Sequence, residues 1–165
     1  MCPAVSLRRQ PSHEGTPAPR LLLLSLSSLL SSLRLSSLPP SHVLQPHRLT
    51  LTHSLVLAYK LVDKMEVYRP HRADKEEMAL YHDQDYLDFL ERISPYNAGA
   101  FMSELRRFNL ADDCPTFSGL FDYCRLYTGG SMDGARRLNA GLCDVAVNWS
   151  GGLHHAGKAQ ASGFW

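Results

Sequence analysis

Two adjacent histidines, His154 and His155, follow a Gly151-Gly152 turn and Leu153 at the end of a short apolar run, Asp144-Val145-Ala146-Val147-Asn148-Trp149. Imidazole titrates near neutral pH, so two rings side by side can divide proton transfer and charge stabilisation between them. The run before them reads as a buried strand. In open α/β sheets chemistry sits outside the carboxyl ends of strands, which makes the pair a candidate catalytic dyad. An isolated His-His is more often two polar loop residues beside a turn, so the surrounding sequence has to decide. Metal chemistry from this chain alone is not indicated. Its histidines (13, 42, 47, 53, 71, 82, 154 and 155) and cysteines (2, 114, 124 and 143) show no C-x-x-C, H-E-x-x-H or H-x-x-x-H spacing.

The elements that must position the pair are mostly helical. From Thr50 onward Leu51, Leu55, Ala58, Leu61, Val62 and Met65 recur at three- and four-residue spacing, and the stripe Leu51, Leu55, Ala58 and Leu61 reads as core. Asp74-Lys75-Glu76-Glu77 carries the signature of a capped helix start, followed by Met78 and Tyr81 on one face. Asp83 or Asp85 opens another helix with Tyr86, Leu90 and Ile93 inward and Pro95 beyond its end. Residues 111–118 read as loop and 120–127 as helix. Gly129-Gly130 is expected to break that helix, with Ser131 capping a further one through Leu138. The inventory is helices leading to one secure strand.

At 165 residues the chain could be one ordinary domain, and 44% apolar with 20% charged residues is a globular composition. A net charge of +1 argues neither for nucleic-acid binding nor for an acidic tail. The scattered cysteines read as reduced thiols.

Residues 1–45 form a different kind of sequence. They carry four arginines and one glutamate, and residues 21–38 consist of ten leucines, seven serines and Arg34. A transmembrane helix is disfavoured, because serines and an arginine interrupt a stretch barely long enough to span. A secretory signal would have a long, proline-containing region before Leu21-Leu22-Leu23-Leu24, which is also disfavoured. The reading adopted is a low-complexity, disordered leader before a domain at 46–165.

Further residue groups stand in order along the chain. They are Gln45-Pro46-His47-Arg48-Leu49-Thr50-Leu51-Thr52-His53-Ser54-Leu55-Val56-Leu57, Tyr68-Arg69-Pro70-His71, Tyr81-His82, Asp85-Tyr86 and Phe89-Leu90. Beyond them come Arg107-Phe108-Asn109, Asp112-Asp113-Cys114-Pro115, Gly119-Leu120-Phe121, Thr128-Gly129-Gly130-Ser131 and Ala161-Ser162-Gly163-Phe164. Together with residues 144–156 they resemble the zinc-dependent histone deacetylases, and the class I branch in particular. Residues 49–57 look most like the third member of that branch. The resemblance covers residues 46–164, and several ordered motifs at family spacing are far more specific than any one of them.

The resemblance implies an α/β protein, here the N-terminal and incomplete part of the arginase/deacetylase-type fold, a parallel sheet flanked by helices. It implies hydrolysis of the acetyl-lysine amide in histones, with action in transcriptional repression. In that mechanism zinc polarises the carbonyl and activates water, and a tyrosine helps hold the oxyanion. By the same resemblance His155 is the general base and then acid, and His154 supports the transition state. Asp113 holds the backbone of the acetyl-lysine peptide, Gly163 and Phe164 line the tunnel for the lysine stem, and Arg48 belongs to an internal cavity.

Each residue has a plainer reading: solvated loop histidines, a turn aspartate, a terminal phenylalanine, a surface arginine. His53, His71 and His82 read as structural or exposed. The family's zinc ligands and tyrosine match no position in this sequence, so zinc is a cofactor of the family and no metal residue is assigned. Implied partners are acetylated histone tails and corepressors, without direct nucleic acid or membrane, in the nucleus with the cytoplasm as a second compartment. Ser41-His42-Val43-Leu44-Gln45 stands where the family carries a glycine and a lysine, so the family's inositol-phosphate site is not carried over. The chain alone is expected to be inactive. The alternatives are a non-catalytic binding module and an unstable fragment.

Overall fold

The computed structural model describes residues 20–24, 46–111, 114, 116–150 and 157–162. Its described strands form one parallel sheet in the order β2-β1-β3, with β1 at Leu21–Leu24, β2 at Glu66–Tyr68 and β3 at Val145–Asn148. Leu22 pairs with Glu66 on one side and Ala146 on the other. Parallel neighbours need a crossover, and α1 (Pro46–Ala58) lies in the one from β1 to β2.

The central position of β1 corrects, for Leu21–Leu24, the expectation of a disordered span 1–45. Four consecutive leucines suit a strand flanked on both edges, a signal the Leu/Ser mixture conceals. Arg20 fixes the entry to β1. Its backbone N–H donates to Asp144 Oδ2 at 2.8 Å, its guanidinium donates to the Gly141 carbonyl at 2.5 Å, and its carbonyl accepts from Asp144 N–H at 3.0 Å. Apart from residues 20–24, the rest of the leader lies outside the described residues.

The helix α1 starts on a proline, which suits a first helical position because no N–H is needed there. Its apolar stripe faces the other way from the expectation. Leu51 and Leu55 are 57% and 54% exposed and Ala58 is exposed, Leu61 is half-buried, and Val56 is the buried side chain. The periodicity was helical, but the described residues supply no surface for that stripe to pack on.

The helix α2 (Lys75–Ala79) opens with the expected reciprocal cap: Asp74 Oδ1 accepts from Glu77 N–H at 2.7 Å, and Glu77 Oε2 accepts from Asp74 N–H at 3.1 Å. In α3 (Gln84–Arg92), Tyr86, Leu87, Phe89 and Leu90 are buried, as is Ile93 beyond it. With Leu105 of α4 (Met102–Arg107), Phe108, Leu110, Cys114 and Phe117 they form the main core. Phe89 stacks on Phe108 with ring centroids 5.0 Å apart.

Leu120–Asn139 is one continuous helix, α5, which corrects the expected break at Gly129-Gly130 and the separate cap at Ser131. Both glycines are buried and serve close approach. A Cβ on Gly129 would overlap the His71 carbonyl oxygen, and one on Gly130 would come within 2.9 Å of Asn148 Nδ2. The strand β3 is less covered than a buried strand should be: Val145 is 43% exposed and its follower Trp149 39%. No helix among the described residues is long and apolar enough to cross a membrane.

Candidate functional site

The chain approaches the histidine pair from the carboxyl end of β3, and Asn148 fixes that end. Its Nδ2 donates to the Tyr127 carbonyl at 2.9 Å and to Ser131 Oγ at 3.1 Å. Its Oδ1 accepts from Ser150 N–H at 3.2 Å. Gly130 leaves the space in which this amide lies, and Ser150 is buried directly after it. One side chain thus ties the strand end, the middle of α5 and the following turn.

The chain is fixed again at residues 157–162. The Lys158 carbonyl accepts from Asp83 N–H at 3.0 Å, and Lys158 Nζ lies 3.4 Å from Asp83 Oδ1. Ala161 is buried; its N–H donates to the Phe108 carbonyl at 2.9 Å and its carbonyl accepts from Asn109 Nδ2 at 3.0 Å. Asn109 adopts φ 56°, a left-handed conformation that asparagine tolerates better than most residues.

His154 and His155 lie between these two anchored stretches, outside the described residues, and so do Asp113, Gly163 and Phe164. Cys114, next to Asp113, is fully buried in the main core. Arg48 sits in the first turn of α1, where only the backbone is described. The sequence reading placed Asn148 and Asn109 within motifs but gave neither a role. An asparagine closing an apolar run, and one after Arg107-Phe108, were the available signals.

The densest charged cluster is elsewhere. His71 Nδ1 lies 2.8 Å from Asp133 Oδ1 and its Nε2 lies 3.1 Å from Glu77 Oε2. Arg136 reaches Glu77 Oε1 at 2.5 Å and Asp133 Oδ1 at 3.6 Å. Partial burial alone would lower the imidazole pKa, but the bonds and charges of Asp133 and Glu77 outweigh it and raise it above the ordinary value. Arg136, then His71, then the Asp74 N–H hold the Glu77 carboxyl down at about 2. Burial pushes the Cys124 thiol up to about 11, which leaves it an unreactive core residue.

Zinc, implied by the family resemblance, needs about three protein donors converging on one point. Among the described residues no group of three His, Cys, Asp or Glu side chains could hold a metal. The His71 cluster does not fit, because its two carboxylates engage opposite nitrogens of one ring.

Comparison with known proteins adds the following. A model of the histone deacetylase domain matches residues 42–165. Histone deacetylase 9 of Arabidopsis thaliana is 58% identical over 125 residues, covering 76% of this chain and 29% of the relative. Histone deacetylase RPD3 of Saccharomyces cerevisiae is 54% identical over 123 residues, 74% of this chain and 28% of the relative. Histone deacetylase 1 of Homo sapiens is 53% identical over 123 residues, covering 74% and 26% respectively. The chain therefore spans less than a third of the length of these relatives.

Proposed function

The chain belongs to the histone deacetylase family, and from that premise we propose that it forms the N-terminal portion of a class I lysine deacetylase catalytic domain of arginase/deacetylase type. The observation that carries the reading is the family match across residues 42–165, which includes the Gly151-Gly152-Leu153-His154-His155 segment. The reaction is hydrolysis of the acetyl-lysine amide in histone tails. His155 takes the proton of the attacking water and returns it to the leaving amine, while His154 offsets the developing charge. Asp113 accepts backbone N–H bonds from the peptide, a charge-assisted geometry suited to a carboxylate. Gly163 and Phe164 flank the apolar lysine stem, and Arg48 belongs to the internal cavity.

Zinc, in this family, supplies carbonyl polarisation and water activation when bound. The described side chains do not provide its donor set. Acetylated histones and corepressors are the proposed partners, in the nucleus with the cytoplasm as a second compartment, without direct nucleic-acid or membrane contact. A non-catalytic binding module is the second reading, favoured by the exposed Leu51 and Leu55 on α1.

The test is a chimera in which residues 42–165 replace the matching segment of Arabidopsis histone deacetylase 9. Deacetylation of an acetyl-lysine peptide is expected, and a His155→Ala change in the inserted segment should reduce it by about 100-fold or more, the scale of general-base catalysis. A folded chimera without activity, or one indifferent to His155→Ala, would remove the catalytic reading.

A further inference from the structure

We propose that His71 is a proton-dependent clasp that holds the segment 69–74 and the start of α2 against α5. The geometry asks for two donors on one ring. Asp133 of α5 faces Nδ1 at 2.8 Å and Glu77 of α2 faces Nε2 at 3.1 Å. Only the imidazolium has an N–H on both nitrogens; the neutral ring has one, and it must turn a lone pair toward the other carboxylate. Losing the proton therefore does more than remove a charge. It converts one of the two bonds into a repulsive contact.

The surrounding charges are accounted for on each element that packs here. From α5, Arg136 touches both carboxylates, and Asp122 pairs with Arg72 at 3.3 Å and Arg125 at 3.8 Å. From α2, Glu77 also closes the helix cap with Asp74. The segment also keeps contacts that need no ring proton to form and whose protection reports how tightly it is held. His71 N–H donates to Asp133 Oδ2 at 2.9 Å, Ala73 N–H to the Arg125 carbonyl at 3.0 Å, and Arg125 Nε to the Ala73 carbonyl at 2.8 Å. Gly129, pressed against the His71 carbonyl, requires the segment to stay close for α5 to keep its path. The clasp thus loosens a seated segment and does not expel it. Carboxylates on both sides keep the ring protonated to higher pH than a free histidine, which puts the loosening on the alkaline side of the ordinary imidazole value.

Two measurements on the full 165-residue chain test this. Imidazole resonances followed through a pH titration should give His71 a midpoint above about 6.5, the free value. Glu77→Gln and Asp133→Asn should each shift that midpoint downward. Amide exchange, corrected for its intrinsic pH dependence, should show the protection of His71 and Ala73 N–H falling as pH rises through the midpoint. In His71→Gln, which carries no ring proton, that protection should not change over the same range. A His71 midpoint at or below the free value, which is also the result an unfolded chain would give, would overturn the proposal. So would wild-type protection that does not change across the midpoint, or the same fall in His71→Gln.

Discussion

Around Phe89 large side chains close over one another, whereas around α1 and the outer strands of the sheet they meet solvent. Phe89, Leu87, Leu110 and Cys114 of that cluster have almost no accessible surface. On the other side Leu51, Leu55, Leu57, Val67 and Val145 are exposed. The second buried cluster there is small, with Cys143 at its centre and Tyr68 and Ala146 beside it. The difference lies in packing partners. The helical region finds its partners among the described residues; the described helices cover too little of the sheet, although parallel sheets are normally covered on both faces.

The largest effect expected from this contrast comes from removing the middle strand. Deleting residues 1–45 takes away β1, which is hydrogen-bonded to both β2 and β3 and is fixed by Arg20 to Asp144 and Gly141. The isolated 46–165 segment should lose cooperative thermal unfolding and the amide dispersion of the sheet. A sharp transition with well-dispersed resonances in that segment would show that β1 matters less than its position implies.

Point substitutions should divide along the same line. Phe89→Ala leaves a cavity in the stacked cluster and should cost about 3–5 kcal/mol in denaturant unfolding. Leu55→Ala on the exposed face of α1 should change stability by no more than about 0.5 kcal/mol. Equal costs at the two sites would mean that α1 is covered in solution.

How much of this was legible beforehand follows the same division. The cap at Asp74–Glu77 and the inward residues of α3 were readable because local hydrogen bonding and helical spacing are written in neighbouring residues. The direction in which α1 faces was not, since periodicity gives a stripe and not its partner. The path of α5 through Gly129-Gly130 was hidden for a related reason. Local propensity favours a break there, and only the His71 carbonyl and the Asn148 amide, both distant in sequence, explain the glycines. The strand in Leu21–Leu24 was masked by a serine-rich context. At the site, His154 and His155 came from the motif, whereas the anchoring asparagines emerged only with their partners in α5 and at Ala161.

A smaller effect is expected in acid. Glu77, depressed to about 2 by Arg136, His71 and the Asp74 N–H, contributes stability that is present above its ordinary value near 4.5 and is lost as pH falls through its folded value. The melting temperature should therefore decline from about pH 4.5 downward, and Glu77→Gln should flatten part of that decline. An identical acid limb in the variant would place the acid sensitivity in other carboxylates.

On the proposed reading His154 and His155 belong to the proton-transfer side of a deacetylase centre, while the described residues hold no group of side chains able to bind its metal. The measurement that bears on it most directly is the turnover of an acetyl-lysine peptide by the purified 165-residue chain supplied with zinc, beside the His154→Ala/His155→Ala double variant. The account predicts no turnover above that variant. Zinc-dependent hydrolysis by the wild-type chain, absent from the double variant, would contradict it and would require a metal site within these residues.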